Sequence, residues 1–171
     1  TWSPSTESLS GHRAAVRSLV VRTATGHVAS GGDDNTVRVW LADSCRQLFC
    51  LRGHSDAVTR LAFDDDAKRN RLVSASRDQT IRTWDLGVGS CTRVLASYPD
   101  AVGHFLLRDD VLLVGLADAA VHVYDAVGLE ERARFAEHNG AVTCIDYSGE
   151  MRLLATGGSA IAAISRLKET G

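Results

Sequence analysis

The chain has 171 residues, 44% hydrophobic and 23% charged, with 15 glycines and 2 prolines, the balance of an ordinary globular protein. A net charge of −2 without a polybasic run argues against a surface that binds nucleic acid by neutralising phosphates, and no stretch approaches the ~18 consecutive apolar residues of a membrane span. No apolar core behind a basic start marks a secretory leader; Cys45, Cys50, Cys91 and Cys144 lack metal-ligand spacing and suit reduced side chains in a cytoplasmic or nuclear protein.

Strand-sized apolar runs alternate with turn signals along the whole chain. Residues 1–10, with Trp2, suit the last strand of a unit whose other strands lie upstream, an edge that further chain or a partner must complete. Residues 11–52 hold a complete unit. Its first strand runs from about Ala15 to Arg22, with a turn at Thr23-Ala24-Thr25-Gly26 and a second strand from His27 to Gly31. Asp33-Asp34-Asn35-Thr36 is an Asx-type turn, in which the aspartate side chain caps backbone amides. Strand three spans Val37 to Leu41, and strand four follows Asp43-Ser44 from Arg46 to Leu51. Residues 53–97 repeat this layout with an inserted charged loop, Asp64 to Asn70, that reads as a solvated connection. Residues 98–136 form a degenerate unit. Residues 137–171 begin a fourth with His138, Val142, Ile145 and Thr156-Gly157-Gly158, then lose the pattern at Ser159 to Arg166. That last stretch is open to a divergent strand, a short helix capped by Ser159 or a gap in the register.

Columns of residues keep the units in phase. His12, His54, Tyr98 and His138 recur at steps of 42, 44 and 40, and Trp40, Trp84 and Tyr124 at steps of 44 and 40. Leu9, Leu51, Leu95 and Phe135 stand three residues before the first set. Asp34, Asp78 and Asp118 stand six before each closing aromatic, and Ser30, Ser74 and Val114 ten before it. Each first strand carries one apolar triplet: Val16-Leu19-Val21, Val58-Leu61-Phe63, Val102-Phe105-Leu107 or Val142-Ile145-Tyr147. The spacing is three and then two, whereas one face of a regular strand repeats every two residues. An extra residue must bring the next side chain back to the same face, which predicts a β-bulge near Arg17-Ser18 and Thr59-Arg60.

The Gly-His pairs, the period in the low forties and the closing Trp84-Asp85 make the chain resemble the WD40 repeat family from about Thr1 to Gly158. The resemblance implies an all-β fold, a β-propeller of four-stranded antiparallel blades. The chain would then be an incomplete segment of about four blades from a propeller of about seven.

His, Ser and Asp recur together, so a hydrolase triad has to be weighed. Nucleophilic catalysis needs one serine, one base and an oxyanion hole in a single pocket. Here the set recurs with the fold as His12, Ser30, Asp34, Trp40 and again as His54, Ser74, Asp78, Trp84, the mark of a structural device. The resemblance implies a tetrad in which histidine bonds aspartate and serine, and serine reaches the tryptophan N–H. Asp64-Asp65-Asp66 is followed by Lys68-Arg69, unlike a calcium loop. Gly31-Gly32 and Gly157-Gly158 lack the strand-to-helix context of a phosphate loop. No catalytic residue, metal or cofactor is therefore expected.

In a propeller of this family the loop before strand one and the turn between strands two and three emerge on the face where partners dock. That face would present Arg13, Asp33, Asp56, Arg77 and Asp100. The expected function is a non-catalytic scaffold for protein–protein contacts within a multiprotein complex, with other proteins as partners and no membrane, nucleic acid or small-molecule substrate. Three alternatives stand beside it. A substrate receptor of a ubiquitin ligase complex would need several converging arginines, and a propeller hydrolase an unrepeated acidic or nucleophilic cluster. A subunit of a ciliary, cytoskeletal or ribonucleoprotein assembly is the third.

Overall fold

The computed structural model describes residues 7–64, 66, 68–95, 98, 102–136, 138–158 and 162–167; Trp2, Asp65, Asp100 and Ser159 lie outside the described residues. Among the described residues the strands form four antiparallel sheets, each built from consecutive strands. The first holds β1 (Val16–Arg22), β2 (His27–Gly32), β3 (Val37–Leu41) and β4 (Gln47–Leu51). The second holds β5 (Val58–Phe63), β6 (Arg71–Ser76), β7 (Ile81–Asp85) and β8 (Ser90–Leu95). The third holds β9 (Val102–Arg108), β10 (Val111–Leu116), β11 (Val121–Asp125) and β12 (Glu131–Phe135). The last holds β13 (Val142–Ser148), β14 (Leu153–Gly158) and β15 (Ala162–Arg166). The opening strand of each later sheet packs on the first two strands of the sheet before it, so the four make an arc, an incomplete β-propeller.

The bulges sit where the apolar spacing requires them. Register shifts fall between Val16 and Ser18, Val58 and Arg60, Val102 and His104, and Val142 and Cys144. Arg17, Thr59, Gly103 and Thr143 are the extra residues. Each returns the next apolar side chain to the face that meets the neighbouring sheet. At two of these bulges a threonine hydroxyl donates back across the ladder, Thr59 to the Ala75 carbonyl and Thr143 to the Gly157 carbonyl, both at 3.3 Å. A second set of bulges was not anticipated. It falls beside the closing aromatics, between Val39 and Trp40, Thr83 and Trp84, and Val123 and Tyr124.

The core lies between sheets rather than within one. Val73, Ala75 and Ile81 of the second sheet bury against Val102, Phe105 and Leu107 of the third. Close approach of sheet to sheet needs a small residue at the end of strand two. A Cβ on Gly31 would lie 2.6 Å from Val58 Cγ1, and one on Gly115 would lie 2.7 Å from Val142 Cγ1.

The last stretch takes one of its open alternatives, the divergent strand, and the charged loop departs from its expected solvated form. Residues 162–166 are no helix but the third strand of the last sheet, pairing Thr156 with Ala163 and Leu154 with Ser165. The open hydrogen-bonding edge of β14 supplies the partner that composition did not announce. Residues 7–10 carry no strand, and the remainder of the expected edge strand, residues 1–6, lies outside the described residues. The Asp64-to-Asn70 loop is not merely solvated: Asp64 is buried and bonded by arginines, as described below.

Candidate protein-docking face

Two complete polar tetrads tie the loops to the sheets. In the second sheet His54 Nδ1 donates to Asp78 Oδ2 at 2.8 Å, the Ser74 hydroxyl donates to His54 Nε2 at 2.8 Å, and the Trp84 indole N–H donates to Ser74 Oγ at 2.8 Å. In the first sheet His12 Nδ1 stands 3.0 Å from Asp34 Oδ1, His12 Nε2 2.8 Å from Ser30 Oγ, and Trp40 Nε1 3.1 Å from Ser30 Oγ. The proton directions follow from the electrostatics. Burial lowers the His54 pKa and keeps the ring neutral, although Asp78 pulls the other way. Burial also opposes charge on Asp78, but the Thr80 hydroxyl, the His54 ring and the Ser55 amide outweigh it and hold the carboxyl at about 2. Asp34 is likewise held well below the usual carboxylate range, its burial outweighed by the Arg13 amide, Thr36 and His12. An ionised aspartate fixes the histidine Nδ1–H, which leaves Nε2 to accept from serine. Ser74 is fully buried and its Oγ is already held by the indole, so it has no path to a substrate carbonyl.

The later units substitute their own polar contacts. In the third, Tyr98 and Tyr124 replace histidine and tryptophan and join hydroxyl to hydroxyl at 3.1 Å. His122 contacts both rings, edge-on to Tyr98 and stacked on Tyr124. Asp118 caps its turn through the Ala120 amide at 3.1 Å. In the fourth, Thr156 takes the serine's place, 2.7 Å from His138 Nε2.

The same carboxylates anchor the loop face. Besides holding histidine, Asp34 accepts the Arg13 amide at 3.0 Å and Asp78 accepts the Ser55 amide at 3.0 Å. The Arg77 amide donates to the Ala57 carbonyl at 3.0 Å, and Ser76 Oγ donates to the Asp56 carbonyl at 2.9 Å. Arg13, Asp56 and Arg77 therefore present exposed side chains from fixed backbones. Asp56 turns its carboxylate back onto the Ala57 amide at 2.6 Å. Asp33 is half-buried and engaged by an arginine that had not been singled out: Arg17 Nε and Nη2 grip its two oxygens at 2.8 and 2.6 Å. The Arg17 hydrogen bond lowers the Asp33 pKa most, and Arg77 from the next sheet adds to the same effect. Arg17 is the bulge residue of β1, and that bulge was the signal that could have found it. Asp100 lies outside the described residues, so its place on this face is open.

On the opposite edge the charged loop is a clamp between sheets. Arg71 Nε donates to Asp64 Oδ2 at 3.0 Å and Arg71 Nη2 at 2.5 Å, while Nη2 also reaches the Ala126 carbonyl of the third unit. Arg69 spans from Asp66 at 3.3 Å to Asp110 at 2.5 Å. Among the described residues no group of His, Cys, Asp and Glu is arranged to hold a metal. No helix there is long and apolar enough to cross a membrane.

A four-stranded blade whose Ser-His-Asp-Trp set is spent on internal bonding defines a repeat-propeller module. The family model described as "WD domain, G-beta repeat" matches residues 3–40, 45–85 and 129–160, and the chain belongs to the WD40 repeat family. It is 31% identical to the CCR4-associated factor 4 homolog of Candida glabrata over 82% of this chain and 29% of that protein. The chain spans less than a third of the length of the curated relatives it matches. Its fold also matches two crystal structures of computationally designed proteins, each with a TM-score of 0.83 at 25% identity over 94% of this chain. The match covers 96% of the Ika4 chain and 48% of the Ika8 chain.

Proposed function

We propose that this chain is a non-catalytic scaffold that holds other proteins on its loop face within a multiprotein complex. One observation carries the reading: Arg13, Asp56 and Arg77 are exposed side chains on loops whose backbones are tied to buried carboxylates and strands. A partner docking there orders little of the loop backbone, so contact energy is not lost to conformational entropy. Arginine, with its planar set of donors, suits such a surface. The family membership supports a binding role, and the relative named as an associated factor points the same way. Each of residues 11–52, 53–97, 98–136 and 137–171 would act as one blade, and the free thiols of Cys45, Cys50, Cys91 and Cys144 suit the cytoplasm or nucleus.

Arg17 and Arg77 both act on the Asp33 carboxylate. Arg17, the additional arginine found on this face, is committed to Asp33, which gives no support to the ligase substrate-receptor reading. The test is affinity purification with mass spectrometry, comparing wild type with an Arg13→Glu, Arg77→Glu double variant. The expected result is a stable partner lost in the variant while its melting curve is unchanged. Recovery of a lone protein with hydrolytic activity, or a partner held equally well by both forms, overturns the reading.

A further inference from the structure

The docking face continues from its loops onto the first strands. On each of these strands the residue just past the bulge stands next to the middle residue of the apolar triplet, so its own side chain points the other way. Those residues are Ser18, Arg60, His104 and Cys144. In the second and third sheets the position holds two groups that can carry positive charge, Arg60 and His104. Each of these two sheets is packed between two others, so their surroundings do not depend on what adjoins the arc.

Arg60 is exposed and pairs with Ala75, two residues before the exposed Arg77. Two residues of strand span about 7 Å. Among the described residues neither guanidinium holds a hydrogen bond or an ion pair. The carboxylates of the neighbouring loops are already engaged: Asp33 by Arg17, Asp78 by His54, and Asp56 by the Ala57 amide. His104 is half-buried, and its Nδ1 is buried without a hydrogen-bond partner. Burial lowers the His104 pKa and the Arg60 charge lowers it further, so the two groups stand within electrostatic reach of each other. This positive charge is local, because the chain as a whole carries a net −2.

We propose that the partner on this face presents an acidic, extended peptide segment, with one carboxylate between Arg60 and His104 and the next against Arg77. The inference rests on the docking reading above and adds the chemistry of the partner. Complementarity of charge selects that chemistry. A carboxylate takes a guanidinium fork through two parallel hydrogen bonds, and it can also accept from the imidazole Nδ1, which is otherwise buried and unpaired. Alternate residues of an extended peptide project to the same side about 7 Å apart, comparable with the offset of the two arginines along the sheet. Aspartate or glutamate at every second position therefore meets both. The bound carboxylate opposes the Arg60 charge at His104 and raises the imidazole pKa.

The test is fluorescence anisotropy with a labelled peptide of alternating glutamate and serine, against the same peptide carrying glutamine for glutamate. The acidic peptide is expected to bind, more weakly as salt is raised, and the glutamine peptide is not. Arg60→Gln and Arg77→Gln should each weaken binding about tenfold. Both side chains are exposed, so the melting curves should not move. Arg132→Gln, on the opposite edge, should leave binding unchanged. In NMR titrations the acidic peptide should raise the His104 pKa and the glutamine peptide should not. A glutamine peptide or an oligonucleotide of equal charge bound as tightly overturns the proposal, as does full affinity in both arginine variants. If the acidic peptide fails while affinity purification still returns a partner that the Arg13→Glu, Arg77→Glu variant loses, the docking face stands and only the partner's acidity is refuted. If neither binds, both readings fall.

Discussion

Ser74 Oγ donates to His54 Nε2 at 2.8 Å while accepting the Trp84 indole N–H at the same distance. That hydroxyl joins a loop histidine to a core tryptophan and is completely buried. The pairing of serine, histidine and aspartate follows the atom order of a hydrolase triad, but the indole stands where a substrate would have to approach. The set therefore acts on stability, and its removal should be read in melting curves rather than turnover.

Asp78→Ala should be the most damaging single change in the tetrad. It strands the His54 ring, the Thr80 hydroxyl and the Ser55 amide together, for a cost of about 3 kcal/mol. In a domain of this size that lowers the midpoint of thermal unfolding by about 6–12 °C. Ser74→Ala should cost less, about 1–3 kcal/mol, because it strands the indole N–H and one ring nitrogen. Differential scanning calorimetry ranks the two, and a larger loss for Ser74→Ala would contradict the central place given to the carboxylate.

The tetrad also sets a pH dependence whose sign follows from its shifts. Burial holds the His54 pKa below the ordinary 6.5, and its contacts hold Asp78 at about 2 rather than 3.8. In both cases the unfolded chain takes up the proton first as pH falls. The stability these groups supply is complete above about pH 6.5, declines below it as unfolded His54 charges, and declines again between 3.8 and about 2. Urea midpoints at several pH values should show this fall, and Asp78→Asn should flatten its acid limb relative to wild type.

Much of this was legible in the chain because each column encodes one physical requirement. The triplet Val58-Leu61-Phe63, spaced three and then two, can face one neighbour only across a bulge. The recurrence of His54, Ser74, Asp78 and Trp84 pointed to bonding among them, and the 2.8 Å contacts are that bonding. Elsewhere the cause lay off the local sequence. Asp64 looks solvated within its charged run, and only Arg71 and the adjoining unit explain its burial. Residues 162–166 are rich in alanine and carry little strand signal, so the edge of β14 decides their conformation. The bulges beside Trp40 and Trp84 involve outer strands, β4 half-exposed and β8 almost wholly exposed, where no apolar spacing records the extra residue.

Tyr98 and Tyr124 offer a cycle that isolates one hydrogen bond. Their hydroxyls meet at 3.1 Å in a buried setting, and burial raises the pKa of both phenols, so neither ionises near neutral pH. Tyr98→Phe or Tyr124→Phe alone should cost about 1 kcal/mol by leaving the other hydroxyl unpaired. Replacing both removes donor and acceptor together and should cost little more than either alone. Additive losses in the double variant would show that the two hydroxyls act independently.

Gln79 is an exposed residue held at φ 66°, at the same turn position as Asn35 at 61° and Ala119 at 75°. A glycine there meets no Cβ penalty, and the Asp78 cap on the Thr80 amide remains. Gln79→Gly should therefore leave stability unchanged or raise it by up to about 1 kcal/mol, despite the added freedom of the unfolded chain. A clear loss in the urea midpoint would show that the Gln79 side chain makes a stabilising contact.

The inter-sheet clamp predicts an asymmetry between its two partners. Asp64 is nearly inaccessible, with two Arg71 nitrogens at 3.0 and 2.5 Å and Arg69 at 3.5 Å. Asp64→Ala leaves the mostly buried Arg71 guanidinium without its counter-charge and with only the Ala126 carbonyl among its named acceptors, a loss of about 3 kcal/mol. Arg71→Met leaves Asp64 with Arg69 and with the Asp66 amide at 3.0 Å, so the carboxylate keeps partners and the loss should be smaller. Replacing both at once with a Met and Leu pair removes the buried charges altogether and should recover part of the Asp64→Ala loss. Chemical denaturation of the three variants checks the order, and a double variant weaker than Asp64→Ala would mean that the clamp's polar geometry, rather than its burial, joins the second and third sheets.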